Sequence, residues 1–133
     1  MLLVPITLVS SAARTAAGSG DWLDLSAISK HPLYTDYPPT LRFQVQVTAV
    51  SGTAPVLTVF IEDTVDGVPT NNNSIGVTAA ISTVSRVVFN IGPRGDANPT
   101  NFAWPFNPSR VRARWTITGT NPSFTFDVKG VLI

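Results

Sequence analysis

The stretch that decides the fold is Arg110-Val111-Arg112-Ala113-Arg114-Trp115-Thr116-Ile117-Thr118, in which apolar residues alternate with charged or polar ones. A period of two places successive side chains on opposite faces, which is typical of a strand with one buried and one solvated face. The stretch therefore predicts a β-strand with Trp115 on its buried face and three arginines on the outer one.

A second alternating segment, Ser123-Phe124-Thr125-Phe126-Asp127-Val128-Lys129, follows the turn formers Gly119-Thr120-Asn121-Pro122. Two alternating segments around such residues predict a β-hairpin. In the register that this turn sets, Trp115 pairs with Phe126 and Arg114 with Asp127 across the strands.

The remaining strands are predicted by the same patterns further toward the N-terminus. Residues 41–49 alternate clearly, and residues 56–62 follow after the break Ser51-Gly52-Thr53-Ala54-Pro55, so we expect a second hairpin there. Shorter strands are expected at residues 74–79, 85–91 and 21–25 and in the N-terminal segment. Seven or eight short strands indicate an all-β protein, a single antiparallel β-sandwich or jelly-roll-like barrel.

The domain organisation follows from the length of 133 residues, which suits one domain. Residues 1–20 are expected to form an N-terminal edge strand or arm, and residues 21–133 the β-sandwich. No basic residue precedes the first apolar run and Pro5 interrupts it, so a strand is favoured over a signal peptide. Residues 30–40 and 92–109 are rich in proline and aromatic residues, and the second is a candidate contact loop.

Composition limits the function. Charged residues make up 13% of the chain and hydrophobic residues 44%, with a formal net charge of +1. A chain with so small a basic excess is not expected to bind nucleic acid. There is no cysteine, which excludes thiol catalysis, and the longest apolar runs are too short to span a membrane.

Catalytic and metal-binding patterns are weak, so we expect no enzyme activity, no cofactor and no metal. His31 is the single histidine and has no motif beside it. Glu62, Asp63 and Asp66 form an acidic group before Gly67, for which a solvated turn is favoured over a calcium site. Asp21 and Asp24 are expected on the solvent side of a strand.

Arg110, Arg112 and Arg114 are the main concentration of charge. Two interpretations have nearly equal weight: a solvated strand face, or a row that meets carboxylates of a neighbouring subunit. The enrichment of arginine in protein interfaces slightly favours the second.

Several segments in order along the chain resemble a family of small tailed-bacteriophage virion proteins: Ser11-Ala12-Ala13-Arg14-Thr15-Ala16, Gly18-Ser19-Gly20-Asp21, Val47-Thr48-Ala49-Val50-Ser51-Gly52-Thr53-Ala54-Pro55, and the residues from Arg110 to Phe126. The resemblance implies a β-sandwich subunit, often a trimer, with a structural role. It also leaves open whether the subunit decorates a capsid or belongs to the head–tail junction or the tail.

The leading hypothesis is a capsid decoration protein that binds the major capsid protein on the virion surface, as a homotrimer. A carbohydrate- or receptor-binding module, with Trp104 and Phe106 as a stacking platform, is the alternative from another class. The candidate protein-interface residues fall into three groups: the arginine row, five aromatic residues of the two inserts, and three apolar residues of the N-terminus. They are Arg110, Arg112, Arg114, Phe102, Trp104, Phe106, Tyr34, Tyr37, Leu2, Leu3 and Ile6.

Overall fold

The computed structural model describes residues 4–24, 41–64, 72–91 and 110–132. Within these ranges every regular element is a strand and every pairing is antiparallel. The strands are β1 (Val4–Arg14), β2 (Gly18–Ser19), β3 (Leu23–Asp24), β4 (Leu41–Thr64), β5 (Asn72–Val77), β6 (Ser85–Ile91) and β7 (Arg110–Leu132). The predicted all-β, sandwich-like fold is confirmed.

Both predicted hairpins are wrong. β4 and β7 are single long strands that pair with each other over their whole length, from Leu41 opposite Leu132 to Asp63 opposite Val111. The other side of β7 pairs with β1, β2 and β3. The two halves of β7 therefore do not pair with each other, and Trp115 lies opposite Val59 instead of Phe126.

The turn formers bend the two paired strands without reversing either of them. Gly52 and Gly119 have φ of +106° and +125°, and Ala54 and Asn121 also have positive φ. The register between β4 and β7 shifts on both sides of Thr53. Positive φ and an irregular register are typical of β-bulges, which bend a strand and increase its twist. Both strands bend at the same point, so the ribbon folds over on itself.

The folded ribbon gives the domain two layers. Layer 1 contains residues 41–51 of β4 and 123–132 of β7, with β1 on one side and β6 on the other. Layer 2 contains residues 53–64 of β4 and 110–120 of β7, with β2 and β3 on one side and β5 on the other. β1, β5 and β6 each pair with one neighbour among the described residues, so they are edge strands there.

The core lies between the layers and is supplied by alternate residues of both. Val45, Val47 and Phe126 of layer 1 belong to one buried cluster with Val59 and Val111 of layer 2. The alternation in residues 41–47 and 110–118 therefore predicts correctly which side chains face inward, whereas Ala49 is exposed because the register shifts between Val47 and Ala49. Burial of apolar surface, at roughly 25 cal/mol per Å², is the main force that holds the layers together.

Two sequence interpretations are corrected by this burial. Ile6 was a candidate interface residue, but its side chain is 7% exposed and belongs to the core cluster, because β1 is paired with β7. Glu62 and Asp63 were assigned to a solvated turn, but β4 continues through them and both are buried. Asp66 lies outside the described residues.

Candidate interaction surfaces

The arginine row lies on the outer face of layer 2, as the alternation predicts. Val111 and Ala113 between the arginines are fully buried, whereas Arg110 is exposed and Arg112 and Arg114 are partly so. The register puts Arg110 opposite Asp24 of β3, and Arg112 opposite Glu62 of β4. Two of the three arginines are thus placed next to a carboxylate-bearing strand of the same chain.

Glu62 binds Arg112 and Arg114. Its Oε2 accepts hydrogen bonds from Nε and Nη2 of Arg112 at 3.3 and 3.2 Å, and its Oε1 accepts one from Nε of Arg114. The guanidinium of Arg112 stacks on Trp22 at 4.5 Å from the ring centroid, and that of Arg114 on Phe60 at 3.9 Å. We call these five residues the Glu62 cluster.

The Glu62 cluster is satisfied internally. Glu62 is 4% exposed, and the two ion pairs and two cation–π contacts compensate the cost of burying its charge. Arg112 and Arg114 therefore have a carboxylate partner within their own chain, an arrangement that neither interpretation of the row includes, and their place in a protein interface stays a prediction. Of the row, Arg110 alone is left exposed with no ion pair to a described residue.

Arg14 at the end of β1 occupies the open edge between the layers. Its Nη1 donates hydrogen bonds to the carbonyl oxygens of Ala12 and Phe126 at 3.0 and 3.2 Å, and its Nη2 donates one to Ser10 at 2.9 Å. The guanidinium carbon lies 5.0 Å from the Trp115 ring centroid and 4.9 Å from that of Phe126. Burial lowers the pKa of the Arg14 guanidinium below its ordinary value, although an arginine stays charged at neutral pH.

A cleft of about 520 Å³ opens beside Arg14, between β1 and the β2–β3 segment. Trp22 and Trp115 line it together with polar groups of Asp21, Ser10 and Arg14. The indole N–H of Trp115 is already engaged, since it donates to the carbonyl of Ala16 at 3.1 Å. Pockets that combine aromatic surface with a few polar groups, and have volumes of this order, are typical ligand sites.

The outer face of layer 1 carries a different arrangement, in which the register sets three strands side by side. Arg86, Val88 and Asn90 of β6 lie opposite Gln46, Gln44 and Arg42 of β4, which in turn lie opposite Asp127, Lys129 and Val131 of β7. These nine residues form a grid of three rows on the face opposite the buried side chains of Phe43, Val45, Phe89 and Val128, and we call this grid the basic face. Its three cations, Arg42, Arg86 and Lys129, are on three different strands and in three different rows.

The three cations of the basic face are exposed and form no ion pair with any described residue. They surround a depression of about 300 Å³ that is also lined by Gln44 and Val88. Val88 is 38% exposed, and Gln44 donates a hydrogen bond to Gln46 beside it. The basic face is thus a shallow surface with three cations at its periphery, Gln44 at its centre and the exposed apolar group of Val88 on its outer strand β6.

The structure brings few of the predicted interface residues together. Phe102, Trp104, Phe106, Tyr34, Tyr37, Leu2 and Leu3 lie outside the described residues. The basic face was not predicted, because Arg42, Arg86 and Lys129 are far apart in the chain and only the pairing of β4 with both β6 and β7 makes them neighbours. Arg14 was also missed, although it is the one charged residue in the first twenty and so gave a signal.

Among the described ranges there is no group of three His, Cys, Asp or Glu side chains that could bind a metal ion. The same part of the chain contains no helix with the length and hydropathy that a membrane span requires. In comparisons with known proteins, no protein-family model, no curated protein and no solved structure matches the chain.

Proposed function

We propose that the chain is a non-enzymatic structural subunit of a bacteriophage virion, a capsid decoration protein that binds the shell of the major capsid protein. Localisation on the capsid surface and assembly as a homotrimer belong to the same proposal. It begins from the resemblance of the segments quoted above and is supported by the surface chemistry of the folded chain.

The basic face is the single observation that supports the proposal best. Arg42, Arg86 and Lys129 have no carboxylate partner among the described residues, and Val88 beside them exposes apolar surface. Arginine and apolar groups on one shallow surface are suited to contact with another protein. The Glu62 cluster on layer 2, in contrast, has already satisfied its charges within the chain and is less suited to such a contact.

A count of copies per particle tests the proposal. Quantitative mass spectrometry of purified virions of the phage that encodes the chain would compare its peptides with those of the major capsid protein. Decoration predicts a copy number of the same order as that of the capsid subunit. A few copies per particle would instead indicate a head–tail or tail component, and absence from the particle would overturn a virion role.

The homotrimer is tested separately on the purified chain. Light scattering coupled to size-exclusion chromatography should give three times the mass of one chain. A monomer at every concentration would contradict the trimer in solution. The proposal would then be limited to assembly on the capsid, which the copy number per particle tests.

The cleft beside Arg14 favours a second candidate, a carbohydrate- or receptor-binding module. Trp22 and Trp115 line the cleft, and Asp21 and Ser10 add hydrogen-bonding groups, so that aromatic surface and polar groups are combined as they are in many sugar sites. A glycan array probed with the intact chain and with the Trp22→Ala variant tests it. Retention that is lost in the variant would support this candidate, and no retention by the intact chain would contradict it.

A further inference from the structure

We infer that the basic face of layer 1 is a docking surface for an acidic segment of another protein, an extended stretch of chain in which every second residue, on the face that meets the surface, is a carboxylate or a small apolar residue. The inference rests on the proposed function only in that both require the chain to act by binding another protein. It adds the surface that is used and the chemistry of the partner.

The charge of the basic face is the first reason. Its three cations are opposed by one carboxylate on the grid, that of Asp127, which is 8% exposed and so presents little negative charge to a partner. The grid has a formal charge of +2, in a chain whose net charge is +1. A surface of this sign attracts an acidic partner and disfavours a basic one.

The chain itself does not offer an acidic segment that would neutralise this surface. Outside the described ranges, residues 25–40 carry Lys30 and Asp36, and residues 92–109 carry Arg94 and Asp96. Residues 65–71 add Asp66 alone. These stretches are neutral or carry a single negative charge, so they are not suited to neutralise the basic face, and we assign the complementary charge to a different protein.

The positions of the cations favour a polypeptide over a nucleic acid. Arg42 and Lys129 are diagonal neighbours on adjacent strands, about 7–8 Å apart at their backbones. Arg86 lies two strands away from Lys129, about 10 Å across the sheet. Phosphate binding favours a continuous track of cations, and binding of single strands also favours exposed aromatic rings for base stacking. The grid is a triangle of cations and has no aromatic residue.

The depression at Gln44 and the apolar group of Val88 beside it specify the rest of the partner. Val88 and the depression beside Gln44 can accept a small apolar side chain, and the Gln44 and Gln46 amides can bind polar backbone groups. An extended segment places alternate side chains on one face about 7 Å apart, a distance close to that between rows of the grid. Glutamates two residues before and two residues after a valine would therefore share its face and reach the cations in the rows on both sides of Val88.

The test uses the full chain and a fluorescently labelled peptide that repeats the sequence glutamate-serine-valine-serine, so that glutamate and valine share one face of an extended segment, with binding read by anisotropy. We expect saturable binding that weakens as salt is raised and at least about tenfold weaker binding in the triple variant Arg42→Gln/Arg86→Gln/Lys129→Gln. Arg110→Gln is the matched control, since it removes an exposed arginine from the other layer. A peptide with glutamine in place of glutamate should not bind.

A charge-swap variant keeps the inference testable if the triple variant misfolds, because a gain of binding requires a folded protein. The Arg86→Glu/Lys129→Glu variant should no longer bind the glutamate peptide and should bind a peptide that has lysine in place of each glutamate. The inference is overturned if the glutamate peptide does not bind the intact chain, if Arg110→Gln weakens binding as much as the triple variant does, or if a single-stranded oligonucleotide binds the same face more tightly than the peptide.

The virion experiment separates this inference from the proposed function. Peptide binding at the basic face together with absence from virions would uphold the docking surface and overturn the virion role. If the chain is present on virions and the triple variant has unchanged occupancy, the virion role is upheld and the basic face is overturned as the docking surface, because attachment to the particle would then use another surface.

Discussion

The rings of Trp115 and Phe126 lie 5.5 Å apart between centroids and are inclined at 79°, although both residues belong to the single strand β7. Eleven residues of extended strand would separate them by roughly 36 Å. The contact exists because β7 bends near Gly119 and returns its second half over its first. This edge-to-face pair therefore joins the two layers of the sandwich.

The first prediction concerns the coupling between these two rings. Trp115→Ala and Phe126→Ala should each destabilise the fold by about 3–5 kcal/mol, because each removes a buried aromatic side chain. The double variant should lose less than the sum, by about 0.5–1.5 kcal/mol, since an aromatic pair in contact contributes that much beyond its burial. Denaturant unfolding measures the cycle.

The matched control is a second double-mutant cycle, in which Phe43 takes the place of Phe126 as the partner of Trp115. Phe43 is equally buried and packs on Phe89 in layer 1. Trp115→Ala and Phe43→Ala should be additive to within about 0.5 kcal/mol. Additivity in the Trp115–Phe126 cycle as well would contradict the folded ribbon.

The second prediction concerns the bend. Gly52 has a φ of +106°, and a Cβ there would lie 2.6 Å from the carbonyl oxygen of Asn121. Gly52→Ala should therefore cost about 1–3 kcal/mol of stability. Ala54, two residues away, already has a positive φ of 49°, so Ala54→Gly should lose nothing or gain up to about 1 kcal/mol.

Thermal unfolding of the two bend variants gives the comparison directly, since each changes one methyl group. The bend described here requires opposite or clearly unequal effects. Equal destabilisation by both substitutions would indicate that the backbone at residues 52–54 has a different conformation.

The third prediction concerns the Glu62 cluster. Glu62→Gln retains the shape of the side chain but removes the charge that Arg112 and Arg114 share, so the fold should lose about 1–3 kcal/mol. The effect is smaller than for a fully buried pair because Arg114 is partly exposed and solvent screens it. Urea unfolding measures it, with Asp21→Asn as an exposed control that should change little. A Glu62→Gln protein as stable as the Asp21→Asn protein would show that the ion pairs contribute nothing.

Sequence reasoning predicted the faces of the strands and failed on their partners. The alternation in residues 110–118 identifies Val111, Ala113 and Trp115 as inward because the pleat alone decides which side a residue faces. It does not decide which strand lies alongside, and glycine, asparagine and proline at 119–122 suit a bulge as well as a reversing turn.

The same limit explains which parts of the candidate surfaces were predicted. The arginine row can be predicted from the sequence because its members are two residues apart on one strand. The Glu62 partner and the basic face cannot, because both depend on pairings between segments that are roughly 40 to 90 residues apart in the chain. Such contacts become visible only when the register of β4 with β6 and β7 is known.

The last prediction concerns Arg14, whose guanidinium connects the edge of layer 1 to the aromatic pair between the layers. It donates to three carbonyl oxygens and lies about equally far from Trp115 and Phe126. A lysine keeps the charge, but its compact ammonium lacks the planar fork and cannot stack on the rings in the same way.

Arg14→Lys should therefore destabilise the chain by about 1–2 kcal/mol, the value of one or two lost hydrogen bonds. Arg42→Lys is the matched control, because Arg42 is exposed and has no ion pair among the described residues, and it should be neutral to within about 0.5 kcal/mol. Urea unfolding of both variants decides the matter. If the two lysine variants were equally stable, charge alone would account for Arg14, and its planar contacts with the carbonyls and the rings would have no energetic role.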